Sequence, residues 1–415
     1  MPQRIEPTVA VIGAGPVGLA AAAHLLERGL EPVVIEAGGE AGHSVWQWSH
    51  VQLFSPWAYN VDKASRRLLE AVGWNSPDPD AYPTGAELIE SYIAPLATRT
   101  ALRERIRTSS RVVDISRVGF DKVKSDGREK APFEIRYRNG AGIKSMLASA
   151  VIDASGTWNS PNRAGANGLP AIGEDLATSR VVYGMPDVLG RERARFEDRT
   201  VAVVGAGHSA TGTLLDLVKL SKTAPNTRVL WILRGNDPSK SFGGGSKDKL
   251  AARGLLGSEL ARVVGEGAIE VHTAFGVSHI AESETGLRIG AGSACCGRNL
   301  VVDQLIVATG FRPDLGFLRE MRLSLDPALE CPPVLAPLID PNVHSCGTVR
   351  PHGAKELGHP EPGLYVAGIK SYGRAPTFLM ATGYEQVRSI AAEIAGDHEA
   401  ARRVELELPE TGVAV

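Results

Sequence analysis

Cysteine is scarce in this chain, and the arrangement of its few cysteines argues against a disulfide-stabilised fold and against a Cys-x-x-Cys redox centre. The 415 residues include four cysteines, which are Cys295, Cys296, Cys331 and Cys346. None forms a Cys-x-x-Cys pair, and the set does not resemble a disulfide framework. Cys295 and Cys296 are adjacent, and we interpret them as ordinary thiols because a disulfide between neighbours is strained. A reducing, cytoplasmic environment is therefore expected.

Recognisable metal and nucleophile motifs are also missing. The one candidate soft-metal group is His344, Cys346, His352 and His359, whose spacing matches no zinc template. These residues are interpreted as polar loop residues, so no metal site is predicted. There is no Gly-x-Ser-x-Gly elbow, which argues against a serine hydrolase.

Long apolar runs and an excess of charge are absent too. No run is long enough to span a bilayer, and residues 1–7 lead into the first strand without the apolar core of a signal peptide. The chain carries 45 Lys and Arg against 47 Asp and Glu, a formal net charge of −2. We therefore expect neither a membrane nor a nucleic acid as partner.

Glycine, in contrast, is abundant, with 46 residues, and one glycine-rich fingerprint occurs twice. The first copy is Val9-Ala-Val-Ile-Gly-Ala-Gly-Pro-Val-Gly18, and the second is Val201-Ala-Val-Val-Gly-Ala-Gly-His-Ser-Ala210. Each consists of an apolar strand, a glycine turn and the start of a helix. Each is followed later by an apolar strand that ends in Ala-Ser-Gly or Ala-Thr-Gly. Two dinucleotide sites are predicted, which is the layout of an electron-transferring flavoprotein.

The glycines of the first copy have three different roles. Gly13 allows a tight turn, Gly15 lets the backbone approach a pyrophosphate, and Gly18 lets the helix pack closely on the strand. The pyrophosphate would lie at the helix N-terminus. Glu36 ends the next strand, where a carboxylate can accept hydrogen bonds from ribose hydroxyls. The alternative is an ordinary glycine turn. The predicted residues of this turn are Gly13, Ala14, Gly15, Pro16, Val17 and Gly18.

The second copy differs in the residue that follows its second strand, which is Arg234 instead of an acid. Arginine can bind a 2′-phosphate through its planar guanidinium group, which favours NADPH over NADH. The alternative is a solvated charge at a strand end. The predicted residues on this side are Gly205, Gly207, His208, Ser209, Ala210, Arg234, Ala308, Thr309 and Gly310.

The repeated pattern predicts an α/β protein with two Rossmann-like domains, one inserted in the other, each with a small β-meander. We expect an FAD-binding domain at residues 1–160 and 311–400, an NADPH-binding domain at 161–310 and a tail at 401–415. The predicted meander strands are Arg111–Phe120, Phe133–Arg138 and Met146–Asp153 in the first domain, and Ile269–Thr273, Val277–Glu282 and Leu287–Ile289 in the second.

Residues 43–60 are rich in tryptophan. Trp46 could stack near a flavin ring, shape a substrate channel or pack in the core, whereas Trp48 and Trp57 are expected to be core residues. No catalytic residue is identified by its chemistry. Four residues are candidates by position alone, and they are Trp46, His43, His50 and Gln52.

With these motifs, the chain resembles flavoproteins with two dinucleotide-binding domains, especially class B flavin-containing monooxygenases and their thioredoxin-reductase-like relatives. It is similar to bacterial flavin monooxygenases, some of which are encoded beside arsenic-resistance genes. The resemblance implies FAD at the first fingerprint and NADPH at the second. It also implies that the backbone of Val113 lies near the adenine. The further FAD-binding residues that it implies are Trp46, Ala154, Ser155, Gly156 and Gly368.

Three positions depart from the pattern of these families. The stretch Tyr183–Gly190 lacks the histidine of the Phe-x-Gly-x-x-x-His motif of class B monooxygenases. A redox Cys-x-x-Cys pair is absent, and Gly368 is followed by Ile369 and Lys370 where many reductases have aspartate after the glycine.

The resemblance favours a monooxygenase that oxygenates a small substrate with dioxygen through a C4a-(hydro)peroxyflavin. The alternatives are an NADPH-dependent reductase that passes electrons to a thiol or disulfide, a quinone or a protein, and a non-catalytic flavin redox sensor. Whether the protein forms a homodimer is left open.

Overall fold

The chain divides into two compact units in a computed structural model that describes residues 8–243, 251–292, 297–343, 350–375 and 378–406. The described residues of the first unit lie within 8–159 and 313–406, and those of the second lie within 160–312. The second unit is therefore an insertion in the sequence of the first.

Strands and helices alternate through much of both units. The strands are β1 (Thr8–Ile12), β2 (Glu31–Ile35), β3 (Ile106–Arg107), β4 (Arg111–Arg117), β5 (Phe133–Asn139), β6 (Gly142–Ala148), β7 (Ala150–Asp153), β8 (Val181–Tyr183), β9 (Thr200–Val204), β10 (Arg228–Ile232), β11 (Glu270–His272), β12 (Val277–Ser283), β13 (Gly286–Ala291), β14 (Arg298–Val302), β15 (Gln304–Val307) and β16 (Leu364–Val366). The α-helices are α1 (Pro16–Glu27), α2 (His43–Gln47), α3 (Trp57–Asn60), α4 (Lys63–Glu70), α5 (Gly85–Leu88), α6 (Ala94–Arg99), α7 (Arg193–Phe196), α8 (His208–Thr223), α9 (Ala251–Gly265), α10 (Ala336–Ile339), α11 (Ala354–Leu357), α12 (Met380–Ile394) and α13 (His398–Arg402).

Each unit contains a parallel sheet and an antiparallel meander. The first unit has the parallel order β16-β7-β1-β2-β3 and the meander β4-β5-β6. The second has the parallel order β11-β10-β9-β15-β8 and the meander β12-β13-β14. The glycine turn of each unit follows the central strand, β1 or β9. The predicted α/β class with two Rossmann-like domains is confirmed.

Two predicted meander strands are wrong in their bounds or their sheet. The run Met146–Asp153 is divided, because β6 ends at Ala148 in the meander and β7 begins at Ala150 in the parallel sheet. The run Ile269–Thr273 contains β11, which pairs with β10 in the parallel sheet. The third strand of the second meander is instead β14. Alternation of apolar residues indicates a strand but does not determine which neighbour the strand pairs with.

Helices α1 and α12 form much of the core of the first unit. The alanines at 20–23 of α1 are fully buried, and Val387 and Ile390 of α12 belong to the same apolar cluster as Leu19 and Leu25. The short α1 side chains let that helix lie close to its neighbours. Helix α13 runs from His398 into the segment predicted as a tail. Within the described part of the chain, no helix has both the length and the apolarity to cross a bilayer.

Candidate functional site

Two glycines of the first turn are required by the fold itself. Gly13 has a φ of +96°, and a Cβ atom there would lie 2.9 Å from the Ala154 carbonyl oxygen and from the Ser155 Cα. A Cβ atom on Gly18 would lie 2.0 Å from the Gly13 carbonyl oxygen. Both positions therefore exclude a side chain for reasons of geometry. The neighbours of Gly13 also show that its turn touches the turn after β7.

Gly15 is different, because nothing in the fold requires a glycine there. Its backbone is extended, with a φ of −76°, and it precedes the first residue of α1. A Cβ atom at this position would meet no atom within 4 Å. The open space lies at a helix N-terminus, where free N–H groups favour an anion. This geometry fits a dinucleotide pyrophosphate.

The carboxylate of Glu36 lies against the first turn. Its two oxygens accept hydrogen bonds from the backbone N–H groups of Ala14 and Gly38, each at 2.7 Å. A carboxylate has about four acceptor positions, so two remain for ribose hydroxyls. The Ala14 carbonyl oxygen accepts a hydrogen bond from Gly42 at 2.9 Å. Ala14 thus connects Glu36 to the start of the tryptophan segment.

Val113 lies at an irregularity of the first meander. The pairing of β4 with β5 shifts between Val112 and Asp114, so Val113 is the extra residue of a bulge. The chain before it is held near Glu36, because Ser110 N–H donates to the Glu36 carbonyl oxygen at 2.8 Å. A bulge frees a residue from regular pairing, so the backbone of Val113 lies outside the ladder of β4 and β5.

The tryptophan segment begins with α2. Trp46 packs against the main apolar cluster of the first unit, and its indole Nε1 is buried without a hydrogen-bond partner among the described residues. A buried indole N–H usually finds an acceptor, so Trp46 has an unused donor. Trp57 is buried and Trp48 packs against the same cluster, which agrees with core roles for both.

The other three candidates by position have different surroundings. His43 is exposed at the start of α2, and its ring lies where a Cβ atom on Gly38 would be. His50 is half-buried. The Gln52 side chain is exposed and donates to the Tyr82 carbonyl oxygen at 3.3 Å, while its backbone bridges to Thr84. None of these contacts identifies a catalytic acid or base.

Sequence reasoning missed a buried ion pair beside Ser155. The Lys370 ammonium lies 2.7 Å from Asp153 Oδ2, and both side chains are fully buried. Ser155 Oγ accepts from Lys370 Nζ at 3.0 Å and donates to Asp153 Oδ1 at 2.6 Å. A signal was present, because Asp153 is the only charge in an otherwise apolar strand.

Gly368 is held by a second buried network that sequence reasoning also missed. It has a φ of +72°, and its N–H donates to Gln386 Oε1 at 2.7 Å. Gln386 Nε2 donates to His352 Nε2 at 2.8 Å and to Ser371 Oγ at 2.9 Å. The other ring nitrogen of His352 donates to the Arg350 carbonyl oxygen at 3.0 Å. Burial lowers the pKa of His352, in agreement with this neutral ring.

The second glycine turn repeats the geometry of the first. Gly205 has a φ of +141°, and a Cβ atom there would lie 2.2 Å from the Ala308 carbonyl oxygen. Gly207 is extended, with a φ of −92°, and a Cβ atom would meet nothing within 4 Å. Ala210 is fully buried, as its role against the turn requires. Trp231 lies beneath this turn and donates from Nε1 to the Gly205 carbonyl oxygen at 2.7 Å.

Arg234 is exposed two residues beyond β10. Its guanidinium donates to the Ala166 carbonyl oxygen at 3.0 Å, which leaves most of its N–H groups for a phosphate. His208 is exposed at the start of α8, and Ser209 is half-buried. The hydroxyl of Thr309 donates to the Asn162 carbonyl oxygen at 3.1 Å. Gly310 follows with a φ of +87°.

The cysteines and histidines do not form a metal centre in the described part of the chain, where no group of three ligands is found. His344, Cys346, Cys295 and Cys296 lie outside the described residues. Cys331 is buried and free, and burial raises the pKa of its thiol to about 12. Such a thiol is a poor nucleophile at neutral pH.

Comparison with known proteins identifies the family. The family described as pyridine nucleotide-disulphide oxidoreductase matches residues 10–334, most of the chain. The chain belongs to this family. Its cofactors are FAD and NADPH, so the predicted family resemblance and the predicted cofactors are confirmed.

The relatives fall into two groups. The flavin-containing monooxygenase FMO GS-OX-like 2 of Arabidopsis thaliana is 24% identical over 237 residues, which cover 52% of this chain and 48% of that protein. The bacilliredoxin reductase Bdr of Bacillus subtilis (strain 168) is 23% identical over 393 residues, 94% of this chain and 98% of that protein. The chain thus spans about half the length of the monooxygenases that it matches.

A solved structure supports the fold along nearly the whole chain. The bacillithiol disulfide reductase Bdr (YpdA) from Bacillus cereus has a TM-score of 0.68 at 21% identity. The match covers 94% of this chain and 99% of that one. At this identity the likeness concerns the fold.

Proposed function

We propose that this protein is an FAD- and NADPH-dependent flavin monooxygenase that oxygenates a small substrate with dioxygen. Residues 1–160 and 311–400 would bind FAD, and residues 161–310 would bind NADPH. One observation carries the binding of two dinucleotides, while the similarity to flavin-containing monooxygenases supports the oxygenation. Gly15 and Gly207 have ordinary extended backbone and open surroundings, so a bound ligand is the reason for a glycine at each place.

The residues around the first turn fit FAD. The N-terminus of α1 would bind the pyrophosphate, Glu36 would accept hydrogen bonds from ribose hydroxyls, and the backbone of Val113 would contact adenine. The unused indole donor of Trp46 provides a further polar contact. In the second unit, the N-terminus of α8 would bind phosphate and Arg234 would bind the 2′-phosphate of NADPH.

FAD supplies the redox chemistry when it is bound. In the balanced reaction, one NADPH, one proton, one dioxygen and the substrate give the oxygenated substrate, NADP⁺ and water. The chain's own contribution is to bind and orient the cofactors and to exclude water from the reacting atoms. The predicted cytoplasmic location and the resemblance to flavoproteins encoded beside arsenic-resistance genes stay predictions, and the question of a homodimer stays open.

The relatives supply a second candidate, an NADPH-dependent reductase. The match to the bacilliredoxin reductase spans nearly both chains, whereas the match to the monooxygenases spans half. Cys331, whose thiol is buried with a raised pKa, is unsuited to exchange with a disulfide. In this candidate, electrons would pass directly from the flavin to a small disulfide, a quinone or a protein partner.

Oxygen labelling separates these candidates. The purified protein is loaded with FAD and given NADPH under ¹⁸O₂ with a panel of sulfides, amines and ketones. The monooxygenase predicts one labelled oxygen atom in a product and NADPH consumption matched to it. The reductase predicts fast anaerobic oxidation of NADPH by a disulfide or quinone, without label in any organic product.

The redox sensor predicts a third result in the same assay. It would bind FAD but consume NADPH negligibly with every acceptor. A colourless protein that takes up no FAD would contradict all three functions.

A further inference from the structure

The buried pair of Asp153 and Lys370 contacts Ser155 and Phe317. Lys370 Nζ lies 2.7 Å from Asp153 Oδ2, 3.0 Å from Ser155 Oγ and 4.4 Å from the centre of the Phe317 ring. Asp153 Oδ1 accepts hydrogen bonds from the backbone N–H of Ser155 at 3.1 Å and from its hydroxyl at 2.6 Å. The two charges therefore hold the hydroxyl and the backbone N–H of Ser155.

The pair lies at the carboxyl end of the first parallel sheet. Asp153 is the last residue of β7 and is aligned with Val366, the last residue of the neighbouring β16. Lys370 follows in the 3₁₀ helix Gly368–Tyr372. In open parallel sheets, ligands bind outside the carboxyl ends of the strands. The pair is thus buried directly behind the edge where a dinucleotide would bind.

Ser155 connects this buried pair to the first glycine turn. Its Cα lies 2.9 Å from the position that a Cβ atom of Gly13 would occupy, and Ser155 itself is exposed. Asp153 and Lys370 are both fully buried. A change at the ion pair would reach a ligand through Ser155.

The second unit shows that the turn after the corresponding strand, β15, does not need an ion pair. The strand β15 ends in Val307, which is followed by Ala308, Thr309 and Gly310, just as β7 ends in Asp153 before Ala154, Ser155 and Gly156. Thr309 is held by the carbonyl oxygen of Asn162 instead of by charges. Burying two charges is costly, and apolar replacement of a buried pair is often neutral for stability. The fold therefore gives no reason for this pair.

We propose that Asp153 and Lys370 are positioning residues of the FAD site. They hold the hydroxyl and the backbone N–H of Ser155, and so fix the turn at residues 154–156 against Gly13 before FAD binds. The inference rests on the proposed binding of FAD in the first unit. It concerns the affinity of the apoprotein for FAD, and not the reaction that follows.

The test replaces the pair with the apolar strand end of the second unit. The variant D153V/K370M removes both charges together, and S155A removes only the hydroxyl that the pair holds. The matched control is E385Q/R388M, which removes another buried pair of the same unit, on α12, with an N–O distance of 2.7 Å. For each protein, the FAD dissociation constant is measured by flavin fluorescence, and the thermal midpoint of the apoprotein is measured separately.

Loss of the hydrogen bonds that hold Ser155 is expected to weaken FAD binding about tenfold in D153V/K370M and about threefold in S155A. The control is expected to bind FAD like the wild type, whatever its thermal midpoint. Wild-type FAD affinity in D153V/K370M would overturn the inference. If that variant does not fold, S155A decides in the same way, because its exposed position makes the substitution mild.

The proposed function fails separately from this inference. If the wild-type apoprotein takes up no FAD, the cofactor assignment is wrong. If the wild type binds FAD tightly and the variants bind it equally well, the cofactor assignment stands and the positioning role is wrong.

Discussion

The two glycine turns have the same backbone and different charges around it. In both, the first glycine is excluded from bearing a side chain by a carbonyl or Cα of the neighbouring strand end, and the middle glycine faces open space. The first turn is bonded by the Glu36 carboxylate and backed by Asp153 and Lys370. The second is supported by the neutral donor of Trp231, while Thr309 donates to Asn162 and Arg234 lies exposed beyond β10.

This difference separates what the fold requires from what a ligand requires. The shared features, a positive φ and close backbone contact, are requirements of a strand-turn-helix unit. Apart from the third glycine position, the features that differ are charges, and charges influence which ligand is bound and how firmly. A buried, charged surround suits a resident cofactor such as FAD, whereas an exposed arginine suits a cofactor that binds and leaves.

The largest effect is expected at the last position of the fingerprint, which is Gly18 in the first turn and Ala210 in the second. Replacing Gly18 with alanine puts a Cβ atom 2.0 Å from a carbonyl oxygen, which should cost about 1–3 kcal/mol or more. The reverse change, Ala210→Gly, removes a buried methyl group and should cost about 1 kcal/mol. Urea unfolding of both variants measures the comparison. Equal costs would contradict the close packing at Gly18.

Replacing the middle glycines should affect binding more than folding. G15A and G207A meet no clash, so each apoprotein should lose at most about 1 kcal/mol, because alanine is a poorer helix N-cap than glycine. G15A should weaken FAD binding and G207A should raise the KM for NADPH, each about tenfold or more, because the methyl group occupies the approach to phosphate.

Thermal midpoints of the apoproteins and ligand titrations check these two variants. Each variant is the control of the other, since G15A should leave the NADPH side unchanged. A lower thermal midpoint with unchanged ligand binding would contradict the open geometry.

Arg234→Ala should affect NADPH alone. Its guanidinium is exposed and bonded to one backbone oxygen, so its removal should leave stability nearly unchanged. The loss of a charged hydrogen bond should raise the KM for NADPH about tenfold or more and leave that for NADH unchanged. Arg228→Ala, at the exposed start of β10, is the control. Equal effects on NADPH and NADH would contradict the 2′-phosphate assignment.

The smallest effect is a loss of stability in mild acid that comes from His352 of the first unit. Burial lowers the pKa of His352, against the raising influence of Glu356 and Glu385. The unfolded chain therefore binds more protons as the pH falls below about 6.5, and the free energy of unfolding decreases there. Above that pH the contribution is complete.

The variant H352Q should reduce this pH dependence without removing it, because burial also lowers the pKa of His359. Unfolding free energies between neutral and mildly acidic pH measure the slope. H398Q, at an exposed position, is the control. An unchanged slope in H352Q would show that His352 binds its proton equally well in the folded and the unfolded protein.

The glycine turns could be predicted because their requirements are local. A positive φ, an apolar strand and a short helix follow each other within one segment, as the observed turns at Gly13 and Gly205 illustrate. The position of Glu36 against Ala14 is also local, since one helix brings two neighbouring strands together. The division of Met146–Asp153 between two sheets could not be predicted in this way, because strand pairing depends on partners elsewhere in the chain.

The sequence alone determined the two α/β units, their glycine turns and the family's cofactors, since these depend on backbone sterics and on short-range patterns. Only the tertiary structure decided that Lys370 neutralises Asp153, that Gln386 binds Gly368, and that Gly15 and Gly207 are open while Gly13 and Gly205 are closed. The physical reason is distance along the chain. The insertion of a whole unit separates Asp153 from Lys370, and hydrogen bonding and desolvation act only through the contacts that folding creates.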